Sequence, residues 1–125
     1  MTTTSTPKRE EQRLAQIIRV KPEHIAEYVR IHNPIPEPIE RRIRECNIID
    51  YSIFHDPQTN LLFASFKYIG SDYQRDMERM RSDPETLKWW KVTDAMQESL
   101  NVNSQGSTDT SNAWWTPCRE VFRQA

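Results

Sequence analysis

Glycine is nearly absent from this 125-residue chain, which holds only Gly70 and Gly106. Two isolated glycines cannot build a G-x-G-x-x-G turn or a phosphate loop, so any chemistry is expected to run without a nucleotide cofactor. Cysteine is as scarce. Cys46 and Cys118 stand far apart, with no C-x-x-C and no histidine cluster at zinc spacing, so no metal site is expected. The pair could bridge, but reduced thiols in a cytosolic protein fit the composition better. Charge of one sign is missing too: 17 Lys and Arg against 18 Asp and Glu leave a net charge of −1. That balance offers no electrostatic case for nucleic acid or an anionic membrane as partner. Long apolar runs are also lacking. The most apolar stretch is Leu61 to Phe66, far below the ~20 residues of a membrane helix, and no signal sequence follows Met1. A cytoplasmic protein is expected.

What the chain does contain is organised as one domain. Residues 1–12 are polar and aperiodic and read as a disordered tail, leaving 13–125 as a single α+β domain. Leu14 to Val20 reads as a strand. Ile25, Tyr28, Val29 and His32 then fall at i, i+3, i+4 and i+7, one face of a helix opened by Pro22. Pro34, Pro36 and Pro38 end it, and Ile39 to Cys46 is helical again. Ile48 to Phe54 alternates, which predicts Ile49, Tyr51 and Ile53 on one face; with Leu61 to Tyr68 it forms a hairpin. Ser71 with Gln74, and Ser82 with Glu85, read as capping boxes for two further helices. The second should carry Trp89, Val92, Met96 and Leu100 on its core stripe, leaving Trp90 off it. A Ser/Thr/Asn-rich loop over 101–112 precedes a last strand over Trp114 to Phe122.

The order strand, helix, strand, strand, helix, strand is the β-α-β-β-α-β pattern of the ferredoxin-like fold. Helices on one face of such a sheet leave the other uncovered, so a homodimer is expected, two sheets packing face to face.

His32 is the residue most suited to proton chemistry. It lies four positions after Tyr28, on the same helix face, and at a helix end where the dipole favours an imidazolium. A His–Tyr pair beside a pocket can move protons; a satisfied structural histidine has the same spacing. Trp89 and Trp90 point about 100° apart on a helix, so one can fill the core while the other lines a cavity. Indole faces suit the C–H surfaces of a sugar. Tyr51 has the same double reading, core ring or pocket hydroxyl, and Trp114-Trp115 fit edge packing.

In combination these segments resemble a known family. Tyr28-x-x-x-His32-Asn33-Pro34-Ile35, Asp50-Tyr51-Ser52-Ile53-Phe54, Asn60-Leu61-Leu62-Phe63-Ala64, Trp89-Trp90-Lys91 and Glu120-Val121-Phe122 are similar, in order, to the L-rhamnose mutarotases. The resemblance implies a dimeric α+β barrel and a cofactor-free aldose 1-epimerase that interconverts the α and β anomers of L-rhamnopyranose. It implies His32 as the general acid and Tyr28, Tyr51, Trp89 and Trp90 as sugar contacts. Where the family commonly carries Trp-Pro-Glu after the histidine, this chain reads Ile35-Pro36-Glu37, so a related deoxy sugar is an alternative substrate. Two other functions remain open on the residues alone: a cofactor-independent monooxygenase on the same dimeric scaffold, and a non-catalytic sugar-binding module.

Overall fold

A computed structural model describes residues 11–124; the tail expected over 1–12 otherwise lies outside the described residues, although Gln12 already belongs to the first strand. Five strands and four helices follow in the order β1 (Gln12–Val20), α1 (Ile25–Ile31), α2 (Glu37–Glu45), β2 (Ile48–Asp56), β3 (Leu61–Tyr68), α3 (Tyr73–Arg81), α4 (Pro84–Met96), β4 (Gln97–Glu98) and β5 (Thr116–Pro117). A 3-10 turn, Pro22–His24, leads into α1. The strands form one antiparallel sheet in the order β2-β3-β1-β4, with β5 also on β1. This is the ferredoxin-like α+β arrangement inferred from the order of elements.

Alternation in β1 and β3 divides the sheet cleanly. Ile18, Val20, Leu62, Ala64, Phe66 and Tyr68 are buried under the helices, while Ile17, Phe63 and Ser65 lie on the opposite face. Two clusters make up the core. One gathers Cys46, Ile48, Phe66, Tyr68 and Met80; the other gathers Ile18, Val20, Tyr28 and Leu62.

In β2 the alternation expected from the sequence breaks. Ile49 pairs with Lys67 but Ser52 pairs with Ser65, so Asp50 and Tyr51 together oppose Phe66. Asp50 takes φ 51°, the left-handed conformation of a bulge. The extra residue puts Ile48, Tyr51 and Ile53 on the helix side and turns Ile49 outward, so Ile49 does not share a face with Tyr51 and Ile53.

The helix starts are each displaced by one residue. Asp72 caps α3 by accepting from the Arg75 N–H, and Asp83 caps α4 by accepting from the Thr86 N–H. A carboxylate at the cap adds charge complementarity with the helix dipole, and it replaces the serines of the expected boxes. The inward face of α4 also differs from the apolar stripe. Thr86, Thr93 and Gln97 are buried, whereas Val92 and Leu100 are exposed, as is Val29 on α1. The last strand is only Thr116–Pro117, extended by one bond from the Cys118 N–H to the Ala15 carbonyl. Pro117 has no N–H to continue the ladder. Cys46 is buried and Cys118 exposed, both as free thiols.

Candidate active site

The two ends of α1 define one wall of a cavity of about 860 Å³ between the helices and the sheet, within the ~300–1,000 Å³ typical of small-molecule clefts. Its lining includes Tyr28, His32, Tyr51, Trp89, Trp90 and Trp114. All five residues singled out in the sequence therefore reach one cavity, in two groups.

His32, Tyr28 and Trp89 form the first. His32 caps the C-terminus of α1, where Asn33 closes the last turn by donating its side-chain amide to the Val29 carbonyl at 2.8 Å. One turn back, the Tyr28 ring lies 4.3 Å from the imidazole, and the edge of Trp89 meets it at 5.1 Å. His32 Nδ1 sits 2.5 Å from the Tyr28 carbonyl oxygen. A carbonyl only accepts, so Nδ1 carries a proton in every charge state. The second nitrogen, Nε2, is then a free base when the ring is neutral and a donor when it is charged. Burial lowers the His32 pKa from the usual histidine value, and the bond to the Tyr28 carbonyl opposes this without cancelling it. The helix-end field suggested the reverse direction; partial removal from water acts against it.

Tyr51 and Trp90 form the second group. The Tyr51 ring stacks on Phe66 at 5.2 Å and 15°, placed there by the Asp50 bulge. Burial of its hydroxyl raises its pKa to about 12, helped by Tyr73 and opposed by a hydrogen bond with Gln16. Trp90 packs on the core cluster around Cys46 and Tyr68. The two indoles thus take the opposite parts to those the helical stripe suggested: Trp89 faces the imidazole and Trp90 braces the core. The other histidines are bland, His55 pairing through Nε2 with the Asn60 side chain at 3.2 Å.

Gln97 and Asp94, each bonded to a lining residue, and Ser107 and Asp109 at the rim carried no sequence signal. Tyr28 is 4% exposed, and its phenol pKa is pushed up mainly by burial, so it stays protonated across the physiological range. Its oxygen accepts from the side-chain amide of Gln97 at 3.0 Å. Asp94 accepts from both the backbone N–H (2.9 Å) and hydroxyl of Ser107. That anchors the 101–112 loop, with Gly106 at φ 142° making the approach, and brings Ser107 and Asp109 to the cavity rim. Among the described residues, no group of three or more His, Cys, Asp or Glu is placed to hold a metal ion, and no helix is long and apolar enough to cross a membrane.

The fold and the cavity define a ferredoxin-like α+β protein with an aromatic site built around an imidazole whose Nε2 has no hydrogen-bond partner among the described residues. A family model described as L-rhamnose mutarotase matches residues 13–124, and the chain belongs to that family. A curated L-rhamnose mutarotase of Phocaeicola vulgatus is 33% identical over 103 residues, covering 82% of this chain and 88% of the relative. One of Shigella flexneri is 29% identical over 106 residues, covering 84% of this chain and 98% of the relative. The crystal structure of an L-rhamnose mutarotase from Formosa agariphila superposes with a TM-score of 0.67 at 23% identity, covering 91% of this chain and 99% of that one; it supports the fold.

Proposed function

We propose that this protein is an L-rhamnose mutarotase, an aldose 1-epimerase that interconverts the α and β pyranose anomers with His32 as the proton-transfer group. The observation that carries the reading is the His32 imidazole, locked by the Tyr28 carbonyl with Nε2 free in an aromatic cavity, in a chain whose relatives bear that name.

The reaction needs a proton removed from the anomeric hydroxyl O1 and one delivered to the ring oxygen O5. Both oxygens are bonded to the same carbon, so one nitrogen can serve them in turn. Neutral His32 takes the O1 proton through Nε2. The C1–O5 bond breaks as C1=O1 forms, and the imidazolium, now the general acid, protonates O5. Rotation about C1–C2 presents the other face of the aldehyde. O5 attacks C1 while its proton returns to Nε2, and the imidazolium then protonates O1. The histidine ends neutral, and no electrons change hands. Tyr28, with its proton retained, donates to a sugar oxygen. Trp89, Trp90 and Tyr51 offer apolar faces to the ring's C–H surfaces.

The working unit is a homodimer. Phe54 and Phe63 on the outer sheet face are 66% and 44% exposed, and Phe122 after β5 is 78% exposed; a second sheet would cover them. The cytoplasm is the compartment that suits an enzyme acting on a free sugar. The test is NMR exchange between anomeric resonances across a panel of free aldoses. Accelerated exchange of L-rhamnose is expected; exchange at the spontaneous rate for every sugar would refute the reading, and binding without exchange would favour a sugar-binding module.

A further inference from the structure

Gln97 stands where α4 gives way to β4 and is 3% exposed, yet no proton step above uses it. Its amide joins two aromatic side chains. The Trp114 indole Nε1–H donates to Gln97 Oε1 at 2.9 Å, and Gln97 Nε2–H donates to the Tyr28 hydroxyl oxygen at 3.0 Å. An indole N–H can only donate, so the amide oxygen must face Trp114. The amide nitrogen must then face Tyr28. Within this chain of bonds the tyrosine oxygen is an acceptor, and its own proton is left over. Among the described residues no hydrogen bond takes that proton. The His32 ring lies against Tyr28 with Nδ1 committed to the backbone.

We propose that Gln97, oriented by Trp114, is a positioning residue that makes Tyr28 an obligatory hydrogen-bond donor to the sugar. A phenol hydrogen lies in the ring plane and can turn to either side; an amide N–H on one side leaves the cavity side. The oxygen it serves is the one that gains negative charge as the ring opens. A donor already aimed at a developing oxyanion binds the transition state better than the ground state. Loss of the aim should therefore appear in kcat more than in KM. The proposal rests on the mutarotase reading of the cavity.

Gln97→Glu reverses the bond with little change of shape. Its carboxylate still accepts from Trp114 but has no N–H for Tyr28, so the tyrosine proton turns to the carboxylate and away from the sugar. Gln97→Met removes the amide without offering an acceptor, and it decides the matter if a buried glutamate prevents folding. For L-rhamnose anomer exchange, kcat should fall about 10–100-fold in Gln97→Glu and about 3–10-fold in Gln97→Met, with KM changed less than about threefold. In a Tyr28→Phe background, Gln97→Met should cost less than about twofold more, because its effect runs through the missing hydroxyl. A parent protein that leaves the anomers at their spontaneous rate defeats the functional reading, and this proposal with it. An active parent whose folded Gln97→Met keeps kcat within about twofold, or whose loss persists undiminished in the Tyr28→Phe background, overturns the proposal alone.

Discussion

Replacing His32 with alanine removes the nitrogen that the proposed cycle uses in all four proton transfers, while leaving the backbone of the α1 cap in place. General acid–base catalysis by one positioned side chain is worth about 10²–10⁴ in rate, which is about 3–5 kcal/mol of barrier. The structural cost is smaller: the Nδ1 bond to the Tyr28 carbonyl and the ring contacts to Tyr28 and Trp89 are lost, about 1–2 kcal/mol for a half-buried polar group. Exchange NMR on L-rhamnose, with the spontaneous rate subtracted, reads the chemistry; circular dichroism and thermal melting read the fold. The pH profile gives a second reading of the same group. Burial holds the His32 pKa below the usual 6.5, and the cycle starts from the neutral ring. Parent kcat/KM should thus be flat at and above neutral pH and decline as the pH falls through that lowered pKa. The same depressed pKa means the fold also loses stability on this acid side, so melting must be followed there. A folded His32→Ala protein exchanging anomers at the parent rate, or activity that rises as the pH falls below 6.5, would refute the reasoning.

The two indoles should separate. Trp89→Ala, beside the imidazole, should raise KM and lower kcat with little change in melting, whereas Trp90→Ala should destabilise by about 2–4 kcal/mol for a partly buried core aromatic; equal melting of the two variants would contradict their packing. Light scattering should give about 30 kDa, twice the 14.9 kDa chain, and Phe63→Glu on the outer sheet face should shift it to the monomer mass. A parent protein that scatters as a monomer at micromolar concentration would remove the dimer. Activity should survive EDTA, because imidazole chemistry supplies every proton transfer; loss on chelation, restored by one divalent ion, would overturn the cycle.

The fold was legible wherever burial alone decided the pattern. β1 and β3 alternate because one face lies under helices, and the prolines after His32 end α1 where expected. The candidate site was legible as a grouping: Tyr28, His32, Tyr51, Trp89 and Trp90 all line one cavity. Their parts within it were less so. On α4 the inward face mixes polar with apolar groups, since Thr86 bonds to Asp83 and the following Gln97 to Tyr28 and Trp114, while Trp90 and Met96 pack on the core. A search for an apolar stripe therefore rotates the helix and exchanges the two tryptophans. Nothing local marks Gln97, because its partners lie 69 and 17 residues away. Asp72 and Asp83 outcompete the neighbouring serines as caps through their charge.

Tyr51 is the instructive case, because strict alternation would group it with Ile49 and the Asp50 bulge separates them. A one-residue change in a strand ordinarily flips every following side chain to the other face. If β2 were regular, deleting Asp50 would turn Tyr51 and Ile53 out of the cavity and collapse activity. In the bulged strand Asp50 is the surplus residue opposite Phe66. Its deletion then leaves Ile48 inward, Ile49 outward and Tyr51 inward, a regular ladder with the same faces. It also removes a left-handed aspartate, a conformation that costs this residue type less than about 1 kcal/mol. It gives up an exposed pairing with Lys67 at 3.7 Å and one side chain on the cavity wall. The deletion variant should fold at least as well as the parent and keep anomer exchange within about tenfold. Collapse of activity in a folded deletion variant would mean that Tyr51 reaches the cavity by a different register.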